Sequence, residues 1–326
     1  MPVDFFKVIF SRFCSEFGMQ SISSKRDLEK VVDKKQFRLF TDQMDMHQKS
    51  DYMSTAKILR YTCEKYGYLT DMDGIIYASQ ICQSDAICYT AEHFRRNYGR
   101  CMGALYWQLN DVWPGFSWSS IDSRNQWKAL HYDIKKSFNP ILLIACNDKS
   151  TGEIYAEVIN ETLAEFRGRI IAEIKDMNLN TLKENAFDVA VGSFGKQKYN
   201  VFDENDMTGD KLDVFVLIRL IDNDGNEIMK KSIIFGQPYE LRLLKPNIKV
   251  NVTKSEDTVT LSLSSDCLAR RVMLDIPDGN STLSDNYFDI TSKGPVNIRF
   301  NSELSVNDIR SRLCIMSEFD IINRNS

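Results

Sequence analysis

The chain has 326 residues, of which 43% are hydrophobic and 26% charged, and a formal net charge of −4. That length predicts two or three domains, and that balance predicts a water-soluble globular protein. Without surplus Lys and Arg to neutralise phosphates, a nucleic-acid or anionic-membrane partner is excluded, and no apolar run approaches the about 18 residues that a membrane span needs.

The opening residues, MPVDFFKVIFSRFC, carry Asp4, Lys7 and Arg12 where an export signal needs an unbroken apolar run, so none is expected there. Residues 8–16 read as a strand. Residues 25–35 hold a Lys- and Glu-rich run that reads as a solvated face. Tyr52, Ala56, Leu59, Cys63 and Tyr66 then recur at helical spacing and predict a helix over 51–66. A second helix is predicted from an N-cap at Asp73 through the stripe Ile87, Ala91, Phe94 and Tyr98 to a glycine stop at Gly99. Residues 101–109 read as another strand, so the first part has α/β texture with a parallel sheet.

Beyond about residue 140 the period changes from helical to two. Ile154, Ala156 and Val158 mark one strand, Ile170, Ala172 and Ile174 another, and Val214, Val216, Ile218 and Leu220 a third that runs into an Asp224-Gly225 turn. After a linker at 236–238, strands recur around Val250, Leu261 and Ile298. Each set has the length of one immunoglobulin-like sandwich. The fold class expected is multidomain α/β plus all-β, divided at 1–138, 139–236 and 237–326.

The eight cysteines form no CxxC pair and the three histidines no metal-ligand spacing, so buried thiols are expected and a metal site is not. Asn160, Asn251 and Asn280 begin Asn-X-Ser/Thr sequons, about as many as chance provides.

Chemistry concentrates in two places. All four tryptophans lie between positions 106 and 132, in YWQLNDVWPGFSWSSID followed by WKALHY. An indole offers a flat apolar face to the C–H side of a pyranose while Asn and Asp take its hydroxyls. Trp107, at the carboxyl end of a predicted strand, is the best-placed ring. Asn110 and Asp111 either bind sugar hydroxyls or cap the turn. The second place is Arg12-Phe-Cys-Ser-Glu-Phe-Gly-Met-Gln-Ser21, where Glu16 is a carboxylate at a strand end followed by a glycine.

These two segments closely resemble the β-mannosidases of glycoside hydrolase family two. The likeness extends to Tyr77-Ala-Ser-Gln-Ile-Cys-Gln83, to Ala91-Glu-His-Phe-Arg-Arg96 and, more weakly, to Leu283-Ser-Asp-Asn-Tyr-Phe-Asp289. The resemblance implies the last two βα units of a (β/α)8 TIM barrel followed by two immunoglobulin-like sandwiches. It implies a retaining exo-hydrolase acting on terminal β-D-mannose of an oligosaccharide, with Glu16 as nucleophile and no metal or cofactor. It also implies a lysosomal location. The family's general acid is a Glu following Asn, and here Asn-Glu occurs only at Asn160-Glu161 and Asn226-Glu227, inside the predicted sandwiches. The acid is therefore expected to be missing, and the chain to be a truncated product, inactive alone, whose partner is the remaining N-terminal part. The readings left open are a non-catalytic sandwich fragment and a related β-galactosidase or exo-glucosaminidase.

Overall fold

The computed structural model describes residues 8–277 and 282–323. Asp4, Lys7 and Asn280 lie outside them. The first part runs β1 (Cys14–Phe17), two short helices α1 (Lys25–Leu28) and α2 (Asp42–Met46), then α3 (Ser54–Tyr66), α4 (Met72–Arg96), β2 (Ala104–Tyr106) and α5 (Ala129–Ser137). β1 and β2 pair in parallel, Cys14 opposite Ala104 and Phe17 opposite Tyr106, and form a two-stranded sheet. Among the described residues no closed barrel forms.

Several sequence expectations shift. The first strand begins at Cys14 rather than at residue 8, because only its last residues meet β2. The helix over 51–66 begins at Ser54, and its buried face is Ser54, Thr55, Ile58, Thr62 and Tyr66, of which only Tyr66 belongs to the predicted stripe. Threonine tolerates that burial because Thr62 Oγ1 donates to the Leu59 carbonyl at 2.7 Å, so no donor is stranded. The next helix is capped by Asp71 rather than Asp73, its carboxylate accepting the Gly74 N–H at 2.9 Å. Within the charged run at 25–35, Asp27 is fully buried, its carboxylate accepting the hydroxyls of Ser23 (2.6 Å) and Ser123 (2.8 Å).

The middle part is a sandwich of antiparallel strands: β3 (Ile141–Asp148), β4 (Glu153–Asn160), β5 (Phe166–Asp176), β6 (Thr181–Val191), β7 (Gly195–Asp203), β8 (Val214–Asp222) and β9 (Glu227–Ile233). Their orders are β3-β4-β7 and β6-β5-β8-β9. Alternate residues such as Ile154, Ala156 and Val158 point inward against Ile170, Ala172, Val216 and Ile218, forming a core of their own. At the predicted hairpin, Asp222 Oδ1 accepts the N–H groups of Asp224 and Asn226, which closes the turn between β8 and β9.

The last part has sheets β10 (Lys249–Ser255), β11 (Thr258–Ser264) with β14 (Val296–Asn301), and β12 (Ala269–Asp275) between β13 (Phe288–Ile290) and β15 (Cys314–Met316), with α6 (Val306–Arg312) and α7 (Glu318–Ile322) beside them. Its interior is continuous with the helical part. One apolar cluster joins Ile22, Ile58, Tyr77 and Ile81 to Leu261, Val272, Leu274 and Ile321.

An ion cluster reinforces that junction. Arg271, on β12, donates to Asp133 of α5 at 2.7 Å and also pairs with Asp85 of α4, which Lys65 of α3 pairs from the other side. Ser84 Oγ donates to Asp133 at 2.6 Å, and Lys136 reaches Asp285 at 2.8 Å. Burial alone would push the Asp133 carboxyl up, but the charges of Arg271 and Lys136 and the Ser84 hydroxyl outweigh it and hold it below its ordinary value. The same burial, with Arg271 nearby, pushes the Lys65 ammonium down to about 8.

A carboxyl whose folded value lies below its unfolded one stabilises fully above the ordinary carboxylate range and loses that contribution as pH falls through the folded value. Stability should therefore drop on the acid side. Arg271→Ala, which removes the cation shared by two part-buried carboxylates while leaving Lys65 on Asp85 and Ser84 on Asp133, should cost about 1–3 kcal/mol at neutral pH and flatten the acid limb of the curve. Urea denaturation of both proteins between pH 3 and 7 checks this, and parallel acid limbs would contradict it.

Candidate active site

Glu16 and Trp107 lie side by side at the carboxyl ends of the two parallel strands. The Trp107 N–H donates to the Phe17 carbonyl at 2.7 Å, the last rung of the ladder. Phe17 turns inward against Phe94 and Ile87, and by strand alternation Glu16 faces out, where it is exposed. The indole of Trp107 is 48% exposed. Gly18 makes the approach possible: a Cβ there would sit 2.5 Å from the Trp107 carbonyl oxygen and 3.0 Å from the Trp118 ring. The Trp107–Gln108 peptide is cis.

From Gln108 the chain forms a small loop pairing with 118–121, through Gln108 N–H to Trp118 O (3.1 Å) and Asp111 N–H to Ile121 O (3.1 Å). Asn110 stays exposed at its tip. Asp111 is drawn under it: the residue is 6% exposed, and its carboxylate accepts Lys49 Nζ (2.6 Å), Gln108 Nε2 (3.2 Å) and the hydroxyls of Ser117 and Ser119. The serines of the SWSS segment thus satisfy a buried carboxylate, and Asp111 fixes the loop from beneath. Of the two roles left open for it, the geometry favours turn-holding over direct contact with a ligand.

Lys49 ties this loop to the segment bearing His47. Its ammonium also donates to the Trp113 carbonyl at 2.7 Å and lies 4.7 Å from the centre of that indole. His47 Nδ1 is 2.9 Å from Pro114 O, and its carbonyl accepts the Phe116 N–H at 2.9 Å. Gly115 permits that contact, since a Cβ there would meet the His47 carbonyl at 2.3 Å. His131 pairs with Ser120 Oγ at 3.0 Å, and burial lowers its basicity, so it is a structural hydrogen-bonding residue. Trp127 packs on His131 and Tyr132 and braces the loop rather than the strand ends.

The residues that sequence reasoning left without a role are on α4. Gln83 is fully buried, accepts the Ser21 hydroxyl at 2.7 Å, and donates to the carbonyls of Met19 (2.8 Å) and Ser119 (3.3 Å). One turn earlier, Ser79 Oγ accepts the Ile22 N–H at 3.1 Å and Gln80 Nε2 donates to the Ile22 carbonyl at 3.2 Å. Lys128, also buried, donates to Ser21 Oγ at 2.9 Å. Burial pushes its ammonium down to about 8 against the opposing pull of Asp111 and Asp122. The signal available in the sequence was the pair of glutamines, Gln80 and Gln83, within the apolar stretch of the helix from Ile75 to Ile87.

Cavities of about 440 and 580 Å³ lie between the helical part and the sandwiches, and neither is lined by Glu16 or Trp107. The strand ends open instead onto solvent. Replacing Gln83 by Leu should leave three buried partners unsatisfied and cost about 1–3 kcal/mol, with Gln83→Glu also destabilising through loss of two donors. Chemical denaturation reads both, and wild-type stability in Gln83→Leu would count against the polar layer as a determinant of the site.

Residues 243–321 match the Ig_mannosidase family, an Ig-fold domain. Among curated relatives, a β-mannosidase B of Aspergillus terreus is 26% identical over 312 residues, covering 87% of this chain and 36% of that protein. A β-mannosidase of Capra hircus is 31% identical over 158 residues, covering 44% of this chain and 18% of that one. The crystal structure of a β-D-mannosidase from Dictyoglomus thermophilum superposes with a TM-score of 0.88 at 27% identity, covering 97% of this chain and 38% of that chain. The chain thus spans well under half the length of each of these relatives. The matched domain, the relatives and the solved structure agree that this chain is similar to the C-terminal portion of β-mannosidases of glycoside hydrolase family two.

Proposed function

We propose that the chain is the nucleophile-bearing portion of a retaining β-mannosidase, with β1 and β2 as the last two strands of a (β/α)8 barrel and two immunoglobulin-like sandwiches at 139–236 and 237–326. The observation that carries this reading is the pairing of an exposed carboxylate, Glu16, with an exposed indole, Trp107, at the carboxyl ends of adjacent parallel strands. That is the end at which βα barrels assemble their sites.

In this reading the Trp107 face receives the C–H surface of a terminal mannose and Asn110 takes a hydroxyl. Asp111 positions the loop through Lys49. The Glu16 carboxylate attacks the anomeric carbon and forms a glycosyl-enzyme ester while a second carboxyl protonates the departing oxygen. In the second step that partner, now a base, takes a proton from water, which attacks the anomeric carbon and releases the sugar from Glu16.

The partner must sit about 5–5.5 Å from the nucleophile. Neither Asn-Glu pair offers it. Glu161 is engaged by Arg95 at 2.9 Å, and Glu227 begins β9 of the middle sandwich. Two further facts favour a missing portion. β1 and β2 have no other strand on either edge among the described residues, and Phe13 and Leu105 expose apolar surface beside them. A parallel sheet is ordinarily covered on both faces. Additional βα units from the rest of a longer protein would cover these strands and supply both the acid and the pocket walls. A lysosomal location belongs to the same proposal and rests on the family alone.

The purified chain should release no p-nitrophenol from p-nitrophenyl β-mannoside. In a longer parent containing it, Glu16→Ala should lower kcat by on the order of 10³-fold or more, the scale on which loss of a nucleophile acts. Substantial turnover by the chain alone, abolished by Glu16→Ala, would show that the acid is present after all. Unimpaired turnover by Glu16→Ala in the parent would remove Glu16 from the chemistry.

A further inference from the structure

The sequons remain unused by the glycosidase reading, and the two within the described residues have opposite environments. Asn160, at the end of β4, is fully buried. Its Nδ2 donates to the carbonyls of Ala164 (2.8 Å), Val191 (3.0 Å) and Gly192 (3.0 Å), and its Oδ1 accepts the N–H (2.9 Å) and hydroxyl (2.7 Å) of Thr162. The sequon is therefore a turn clamp, and its own threonine is consumed in closing it. A sugar on that nitrogen would remove a donor and require volume that the packed turn does not have.

Asn251 stands in the middle of β10, an edge strand of the sheet β10-β11-β14. Its side chain is exposed and makes no hydrogen bond among the described residues, while Val252 beside it points into the core. Thr253 lies exposed on the same outer face, as the two-residue repeat requires. The row across from Asn251 is polar as well: it faces Ser262, which faces Asn297 and donates to its Oδ1 at 2.6 Å. A glycan rooted there meets hydroxyls, amides and water, and no apolar contact is broken.

We infer that Asn251 is an N-glycosylation site of this chain and that Asn160 is not. The co-substrate is an oligosaccharide carried on a lipid pyrophosphate. A bond forms between Asn251 Nδ2 and the anomeric carbon of the sugar. The anomeric C–O bond breaks, the lipid pyrophosphate leaves with its electron pair, and Nδ2 gives up one proton. The inference is independent of Glu16 and of any catalysis.

Secretion of the chain from a eukaryotic host behind an export leader, followed by peptide mapping of the folded fraction with and without a glycoamidase, tests it. The enzyme converts each glycan-bearing Asn to Asp. The Asn251 peptide should be converted and the Asn160 peptide should not. Asn251→Gln should lose one glycan from the intact mass at an unchanged thermal midpoint. Asn160→Gln should lower the midpoint while leaving the glycan in place. An unmodified Asn251 in the folded fraction, or a glycan on Asn160, would overturn the inference, as would an unchanged midpoint in Asn160→Gln. For any variant too unstable to be secreted, import into microsomes reads the glycan as a gel shift before folding.

Discussion

Gln83, in the middle of a buried 25-residue helix, holds together the chain segments that follow Glu16 and Trp107. Its amide bonds both the stretch that follows Glu16, at Met19 and Ser21, and the stretch that follows Trp107, at Ser119. A carboxamide suits the task because it offers donors and an acceptor in fixed directions. In a buried environment each unmade bond is costly, so the two segments cannot slide independently of the helix. Ser79 and Gln80 extend the same layer to Ile22, and Gln80 Oε1 accepts the Tyr287 hydroxyl of the last sandwich at 3.1 Å. The strand ladder and this layer together thus set where Glu16 and Trp107 stand.

Above that layer lies a second one built from charge. Lys49, Asp111 and the hydroxyls of Ser117 and Ser119 form a small buried network in which every carboxylate oxygen is engaged. Buried ion pairs contribute little net stability but penalise alternatives strongly, since removing one member strands the other. The network therefore suits a loop that must keep one shape while exposing Trp107, Asn110 and Trp113 to solvent. Below, Arg271 with Asp85 and Asp133 performs the same service between the helices and the last sandwich. The sandwich is consequently part of the support of the strand pair, because the two share a single apolar core as well as these ions.

The contrast between Asn160 and Asn251 follows the same logic of satisfied and unsatisfied polar groups. Identical motifs acquire different meanings because one is locked into a turn by its own hydrogen bonds and the other stands exposed on the outer face of β10. Nothing in Asn-X-Thr itself distinguishes them.

Much of the fold was legible from local signals. Period-two alternation located β4, β5, β8 and strands of the last part from local sequence, although β8 buries both faces, with Val214 through Ile218 all inside. The long match around Trp107 and the Glu16 segment pointed to a family by resemblance, and the structure sets both residues at adjacent strand ends. What the sequence could not determine was which polar groups would be inside. Asp27 fell in a run read as a solvated face and Asp111 was left between a sugar contact and a turn cap, while the buried face of α3 turned out to carry threonines and shares only Tyr66 with the predicted stripe. Each outcome depends on hydroxyl, amide or ammonium partners that lie dozens of residues away and approach only on folding. Burial of a polar side chain is a property of its partners, and those are decided by tertiary structure alone.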